Sequence, residues 1–180
     1  AGEPDFDTPE NIKQAAIRGI GAGQTKYVNK RGVPELRQAI QDYMERIYAI
    51  ELDPERLTVT GSGMTAIMIA VETLVDNGDN VVLVSPVWPN IFYCVETMGG
   101  ECRHVRLDMT ERGWRLDLDR LFAACDERTK AIFISSPANP SGWLMGVEEQ
   151  QAVLDFCRAR GIWIIADEVY ERFYFDGPRA

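Results

Sequence analysis

The sequence holds a single histidine, His104, and only four lysines, Lys13, Lys26, Lys30 and Lys130. Its four cysteines, Cys94, Cys102, Cys125 and Cys157, are scattered, with no C-x-x-C pair and no histidine cluster beside them. That leaves no ligand set for a zinc site, and free thiols in the reducing cytoplasm are the simplest reading. Positive charge is scarce as well: 19 Lys and Arg stand against 28 Asp and Glu, a formal net charge of -9. A nucleic-acid surface needs a basic patch, so that class of partner is excluded. No apolar run approaches the roughly 20 residues that a membrane-spanning helix requires, and the first residues do not read as a signal peptide. The chain opens on Ala1-Gly2-Glu3-Pro4 without a methionine, which reads as a fragment.

What is present is enough apolar content for a sizeable core, 46% of residues, and a regular alternation of patterns. Thr8-Pro9 supplies an N-cap and a first helical position, predicting a helix to about Arg18 that Gly19 to Gly23 break. After a polar loop, Gln24 to Gly32, Pro34 opens a longer amphipathic helix with Leu36, Ile40, Tyr43, Met44 and Ile47 on one face. From there short apolar runs predict strands at Leu57–Thr60, Val81–Val84, Cys102–Leu107, Ala131–Ile134 and Ile162–Ala166. Helices are predicted between them at Met64–Val75, Pro89–Met98, Leu118–Cys125 and Val147–Arg160. This rhythm predicts an α/β fold of three layers, a mostly parallel sheet with helices on both faces. The run Ile162 to Ala166 reads as a strand buried on both faces.

Polar residues collect where these strands end. Asp167, Glu168 and Tyr170 follow the last strand, and Ser135-Ser136-Pro137-Ala138-Asn139-Pro140-Ser141-Gly142 follows the one before it. Open α/β sheets bind ligands at the carboxyl ends of their strands. Asp167 can also be a local cap for the turn that follows it. The turn Thr60-Gly61-Ser62-Gly63-Met64-Thr65-Ala66 matches G-x-G-x-x-A, the dinucleotide fingerprint. However, Val81–Val84 ends in Ser85-Pro86-Val87-Trp88, with no acid for a ribose, and the dinucleotide reading is set aside. What remains is a tight turn of small residues at a helix N-terminus, suited to a monophosphate. Trp88 is either a core plug or a flat platform for a planar ligand.

In this order, the glycine turn, Pro86-Val87-Trp88-Pro89-Asn90, Asn139-Pro140-Ser141-Gly142 and Asp167-Glu168-Val169-Tyr170 resemble the class I/II pyridoxal-phosphate-dependent aminotransferases, of fold type I and aspartate aminotransferase-like. The resemblance runs from Gly2 to Phe173. It implies pyridoxal 5'-phosphate as cofactor and the movement of an amino group between an amino acid and a 2-keto acid. It further implies the fold of the family's cofactor-binding large domain over residues 13–180, with residues 1–12 a segment bordering the substrate side. By the same resemblance, Ser62, Gly63 and Met64 hold the phosphate and Trp88 stacks on the pyridine ring. Asp167 faces the ring nitrogen, and Asn139 and Tyr170 donate to the phenolic oxygen. Tyr27 reaches the phosphate of a neighbouring subunit in a homodimer with shared sites, although an exposed loop tyrosine is the plainer alternative. Gly2 offers a backbone N–H to the substrate carboxylate, beside Trp88 and Asn139.

Two departures qualify the match. Many family members carry a polar side chain where Met64 stands, so that position offers only its backbone N–H. The family's Schiff-base lysine follows the D-E-x-Y strand, where this sequence has no lysine, so the large domain reads as incomplete and the 180-residue chain as incompetent by itself. The arginine that grips the substrate carboxylate is also expected beyond residue 180. Related chemistry on the same scaffold remains open, namely a C–S β-lyase or a cyclopropane-forming synthase. So does a cofactor-sensing domain of a transcriptional regulator. Asn139–Pro140 is expected to be a cis peptide, because Asn139 must turn inward as the chain leaves the sheet.

Overall fold

A computed structural model describes residues 4–175. Its contacts divide the chain into two units, one ending at Thr60 and one beginning at Gly61.

The first unit carries α1 (Glu10–Gly21), α2 (Pro34–Tyr48) and a single 3-10 turn (Pro54–Arg56). Pro9 is itself the N-cap of α1, so the helix starts one residue later than Thr8-Pro9 predicts. It also runs through Gly19 to Gly21 before it stops. Pro34 opens α2 as expected, since a proline at the first position forgoes an N–H that has no helical partner anyway. Ile40, Tyr43, Met44 and Ile47 are half-buried, whereas Leu36 at the start of that face is exposed. Gln41 donates to the Leu52 carbonyl at 2.8 Å, and the Arg31 guanidinium pairs with the Glu55 carboxylate. The expected strand Leu57–Thr60 does not form. The segment is extended, but its bond to Arg31, from Val59 N–H to the carbonyl at 3.0 Å, is no strand ladder. Gly32 is required beside it: its φ is +101°, and a Cβ there would sit 2.7 Å from the Val59 side chain.

The second unit is the layered sheet. In chain order it contains α3 (Gly63–Leu74), β1 (Asn80–Ser85), α4 (Asn90–Thr97), β2 (Glu101–Arg106), β3 (Asp108–Thr110), β4 (Gly113–Arg115), α5 (Leu118–Ala123), β5 (Thr129–Ser135), α6 (Val147–Arg160) and β6 (Trp163–Asp167). Four strands form one parallel sheet in the order β2-β1-β5-β6. The side-chain period of two separates its faces. Val82, Val84, Ile132 and Ile134 pack with Leu121 of α5 and Val153 and Cys157 of α6. Val81, Leu83, Ala131 and Phe133 pack with Val71 of α3 and Ile91, Cys94 and Val95 of α4. These are the three layers that the alternating pattern predicts.

Two features of this unit differ from the sequence expectation. The antiparallel hairpin β3–β4 was not predicted; its strands have three residues each, and all of β3 is exposed. The strand after α6 is also not buried on both faces. Trp163 is 63% exposed and Ala166 is exposed, because β6 pairs on one side with β5 and, among the described residues, with no strand on the other.

A polar cluster ties the amino ends of three strands. Asn80, fully buried, donates to the Asp126 carboxylate at 2.9 Å and accepts from the Thr129 hydroxyl at 2.7 Å. Arg103 of β2 pairs with Asp126 at 2.8 Å. The Asn80 amide, then the Arg103 guanidinium and the Arg128 N–H, hold the Asp126 carboxyl well below the usual carboxylate range. A folded-state value below the unfolded one means that the stabilisation is present above the unfolded value, about 3.9. It is lost as pH falls through the folded value. Asp126→Asn is therefore expected to be less stable than the wild type at neutral pH, and the gap should close on acidification. Urea denaturation at several pH values checks this; a gap that does not change with pH would contradict it.

Candidate active site

β1 connects through α4 to β2 on one side and β5 connects through α6 to β6 on the other, so the direction of winding reverses between β1 and β5. Such a reversal opens a crevice at the carboxyl ends of the strands. Ser85, Ser135 and Asp167 end β1, β5 and β6 there.

The turn after β5 is held rigidly. Ser136 accepts from Met145 N–H at 3.0 Å, Ala138 N–H donates to the Trp143 carbonyl at 2.9 Å, and Gly142 N–H donates to the Ala138 carbonyl at 2.7 Å. Trp143 and Met145 are buried in the core below it. Asn139 sits within this braced turn, and Asn139–Pro140 is cis as expected. Ser85–Pro86 and Ser136–Pro137 are cis as well. The Asn139 side-chain amide donates to the Tyr170 hydroxyl at 3.5 Å, joining the turn after β5 to the turn after β6. The Tyr170 ring meets Phe173 edge to face at 5.8 Å. Asp167 faces Ser135 in the β5–β6 register, and its carbonyl accepts from Ser136 N–H at 3.1 Å. The Asp167 carboxylate accepts from Val169 N–H at 3.2 Å, so it does make the local turn that its sequence position permits.

Ser62 is the N-cap of α3. Its hydroxyl accepts from Thr65 N–H at 3.1 Å and lies 3.0 Å from the Thr65 hydroxyl. Thr65, which sequence reasoning passed over, thus adds a second hydroxyl to this helix start. Gly63 and Met64 are the first two helical residues, whose N–H groups have no carbonyl within the helix to reach. A Cβ at Gly61 or Gly63 would meet nothing within 4 Å, so the backbone there is open to an approaching group. The Met64 side chain packs against the core on the α3 side of the sheet. Trp88 is half-buried, directly after the buried Val87.

The donor set suits a flat, phosphate-bearing heterocycle. It offers backbone N–H groups at a helix start for an anion and a carboxylate for a basic ring nitrogen. An amide and a phenol are available for an oxyanion, and an indole for a ring face. The structure brings Asn139 and Tyr170 together and sets Asp167 at the end of the strand beside them. Tyr27 lies in the first unit and is fully exposed. Gly2 lies outside the described residues. Among the described residues, no group of three or more His, Cys, Asp or Glu could hold a metal ion. Likewise, no described helix is long and apolar enough to cross a membrane.

Known proteins resemble this chain in sequence and fold. The family model described as aminotransferase class I and II matches residues 1–180. A probable aspartate/prephenate aminotransferase of Aquifex aeolicus is 40% identical over 97% of this chain, covering 44% of its own length. The aspartate/prephenate aminotransferase of Thermus thermophilus is 36% identical over 98% of this chain and 46% of its own. The solved structure of N-succinyldiaminopimelate aminotransferase from Mycobacterium tuberculosis superposes with a TM-score of 0.94 at 36% identity, covering 99% of this chain and 47% of that one. The chain thus spans less than half the length of these relatives.

Proposed function

Since the chain belongs to the class I and II aminotransferase family, we propose that it forms the cofactor-binding part of a pyridoxal-phosphate-dependent aminotransferase. The observation that carries the reading is the meeting of Asn139 and Tyr170 at 3.5 Å beside the strand end that bears Asp167. Pyridoxal phosphate, when bound, supplies an electron sink for negative charge developing on the substrate α-carbon.

The chain's own residues bind and tune that group. Gly63 and Met64 N–H groups, with the positive end of the α3 dipole and the Ser62 hydroxyl, receive the phosphate. The Asp167 carboxylate holds a proton on the ring nitrogen, since an adjacent negative charge favours the protonated form. The Asn139 amide and Tyr170 hydroxyl donate to the phenolic oxygen and favour its anion. The Trp88 indole covers one face of the ring and excludes water from it.

The substrates of this reading are an amino acid and a 2-keto acid, exchanged in turn at one site. Residues 13–180 belong to the large domain and residues 1–12 border the substrate side, with Gly2 N–H, Trp88 and Asn139 toward the substrate. The enzyme works in the cytoplasm as a homodimer, and Tyr27 reaches the partner subunit's cofactor phosphate. The full exposure of Tyr27 supports that last assignment. Initial rates measured over a grid of amino acid and keto acid concentrations test the exchange. Parallel double-reciprocal lines are expected; intersecting lines would contradict a shared site used in turn.

A further inference from the structure

Ser135 carries the one buried side-chain oxygen that lacks a hydrogen-bond partner among the described residues. It is 3% exposed. Buried polar groups are nearly always paired, and an unpaired one in a native fold calls for an explanation. Ser135 ends β5, directly opposite Asp167 of β6 in the parallel register. Neighbouring strands lie about 4.8 Å apart, and opposed residues send their side chains to the same face. Phe133 and Ala131, two and four residues back, pack on the α3–α4 face, as does Ile165 two residues before Asp167. Ser135 and Asp167 therefore share that face. Ser85 ends β1 two residues after Leu83, on the same face, but its hydroxyl already donates to the Val105 carbonyl at 3.4 Å. Ser135 is left as the uncommitted donor beside the carboxylate.

We propose that Ser135 is a positioning residue for the reaction, its hydroxyl donating to the Asp167 carboxylate and holding that group aimed at the cofactor's ring nitrogen. A hydroxyl rotates freely to suit an acceptor, and an ionised carboxylate offers about four acceptor positions. Val169 N–H uses one from the loop side. Ser135 supplies a second from within the sheet. A carboxylate with two donors is better fixed, so its negative charge stays beside the ring nitrogen and favours the protonated ring. Without the serine, the carboxylate is free to turn away and the protonated ring loses its partner.

The inference rests on Asp167 facing the ring nitrogen, and the test separates the two claims. Holoenzyme is loaded with pyridoxal phosphate labelled with 15N in the ring, as wild type, Ser135→Ala and Ser135→Thr. The nitrogen resonance of the wild type should be that of a protonated ring. Ser135→Ala should move it toward the neutral pyridine position and slow the half-reaction with amino acid about tenfold, as expected for one hydrogen bond to a charged group. Ser135→Thr, which keeps the hydroxyl, should restore both. A neutral ring in the wild type would remove the Asp167 reading itself. A protonated ring that is unchanged in Ser135→Ala would overturn the role of Ser135 alone. Should Ser135→Ala fail to fold, Ser135→Thr against Ser135→Val, matched in shape and differing in the hydroxyl, decides by the same resonance.

Discussion

Asp167→Ala in the holoenzyme is expected to slow the half-reaction with amino acid about 100- to 1,000-fold, the range for removing one fixed electrostatic group from a reaction centre. The cofactor's dissociation constant should rise far less, about tenfold, the value of one charge-assisted hydrogen bond. The two effects separate because binding is shared. In the proposed assignment the α3 N-terminus would take the phosphate, Trp88 the ring face, and Asn139 and Tyr170 the phenolic oxygen, so a single lost contact would leave the rest in place. Protonation of the ring would rest on the one carboxylate at the end of β6. Rapid mixing with amino acid, alongside equilibrium titration with pyridoxal phosphate, measures both. A half-reaction near the wild-type rate, or a collapse of cofactor binding with little change in rate, would contradict the assignment.

Phe133→Ala is expected to be the most damaging change in the core. Phe133 is fully buried at the centre of β5, between β1 and β6, and packs on the α3–α4 face with Leu83, Ile91 and Val95. Emptying such a site costs about 3–5 kcal/mol, which for a chain of this size lowers the melting temperature by roughly 10 °C or more. Because Ser135 ends β5 and the braced turn that carries Asn139 follows it directly, cofactor affinity should weaken as well. Thermal unfolding followed by circular dichroism reads the first effect, and a shift of only a degree or two would mean that β5 is not the centre of the fold.

Much of this was legible in the sequence because it depends on local pattern. The apolar runs around Val82, Ile132 and Ile164 have too few residues for core helices and are rich in β-branched side chains, so they announce strands. Pro34 marks a helix start by chemistry alone. The candidate site residues stand out because polar groups placed directly after apolar strands are conspicuous. What escaped depends on tertiary partners. Leu57–Thr60 has the composition of a strand but finds no strand to pair with. Asp108–Thr110 and Gly113–Arg115 pair with each other yet bury little, so no apolar alternation signals them. Gly19 and Gly21 suggest a break inside α1 that the helix does not make. Ser135 looks like any small residue in a turn; only the register opposite Asp167 and the lack of another partner single it out. Thr65 reads as an ordinary helix residue until its hydroxyl is seen 3.0 Å from that of Ser62.

Amino-group transfer at the carboxyl ends of β1, β5 and β6 is the central claim, and a single-turnover balance tests it most directly. Holoenzyme is mixed with one amino acid and no keto acid, and the products are counted per bound cofactor. The expected result is one equivalent of 2-keto acid and no ammonia, after which the reaction stops until a second keto acid is added. Continuous release of ammonia together with a keto acid, with no need of a second substrate, would contradict transfer and point to elimination chemistry on the same scaffold.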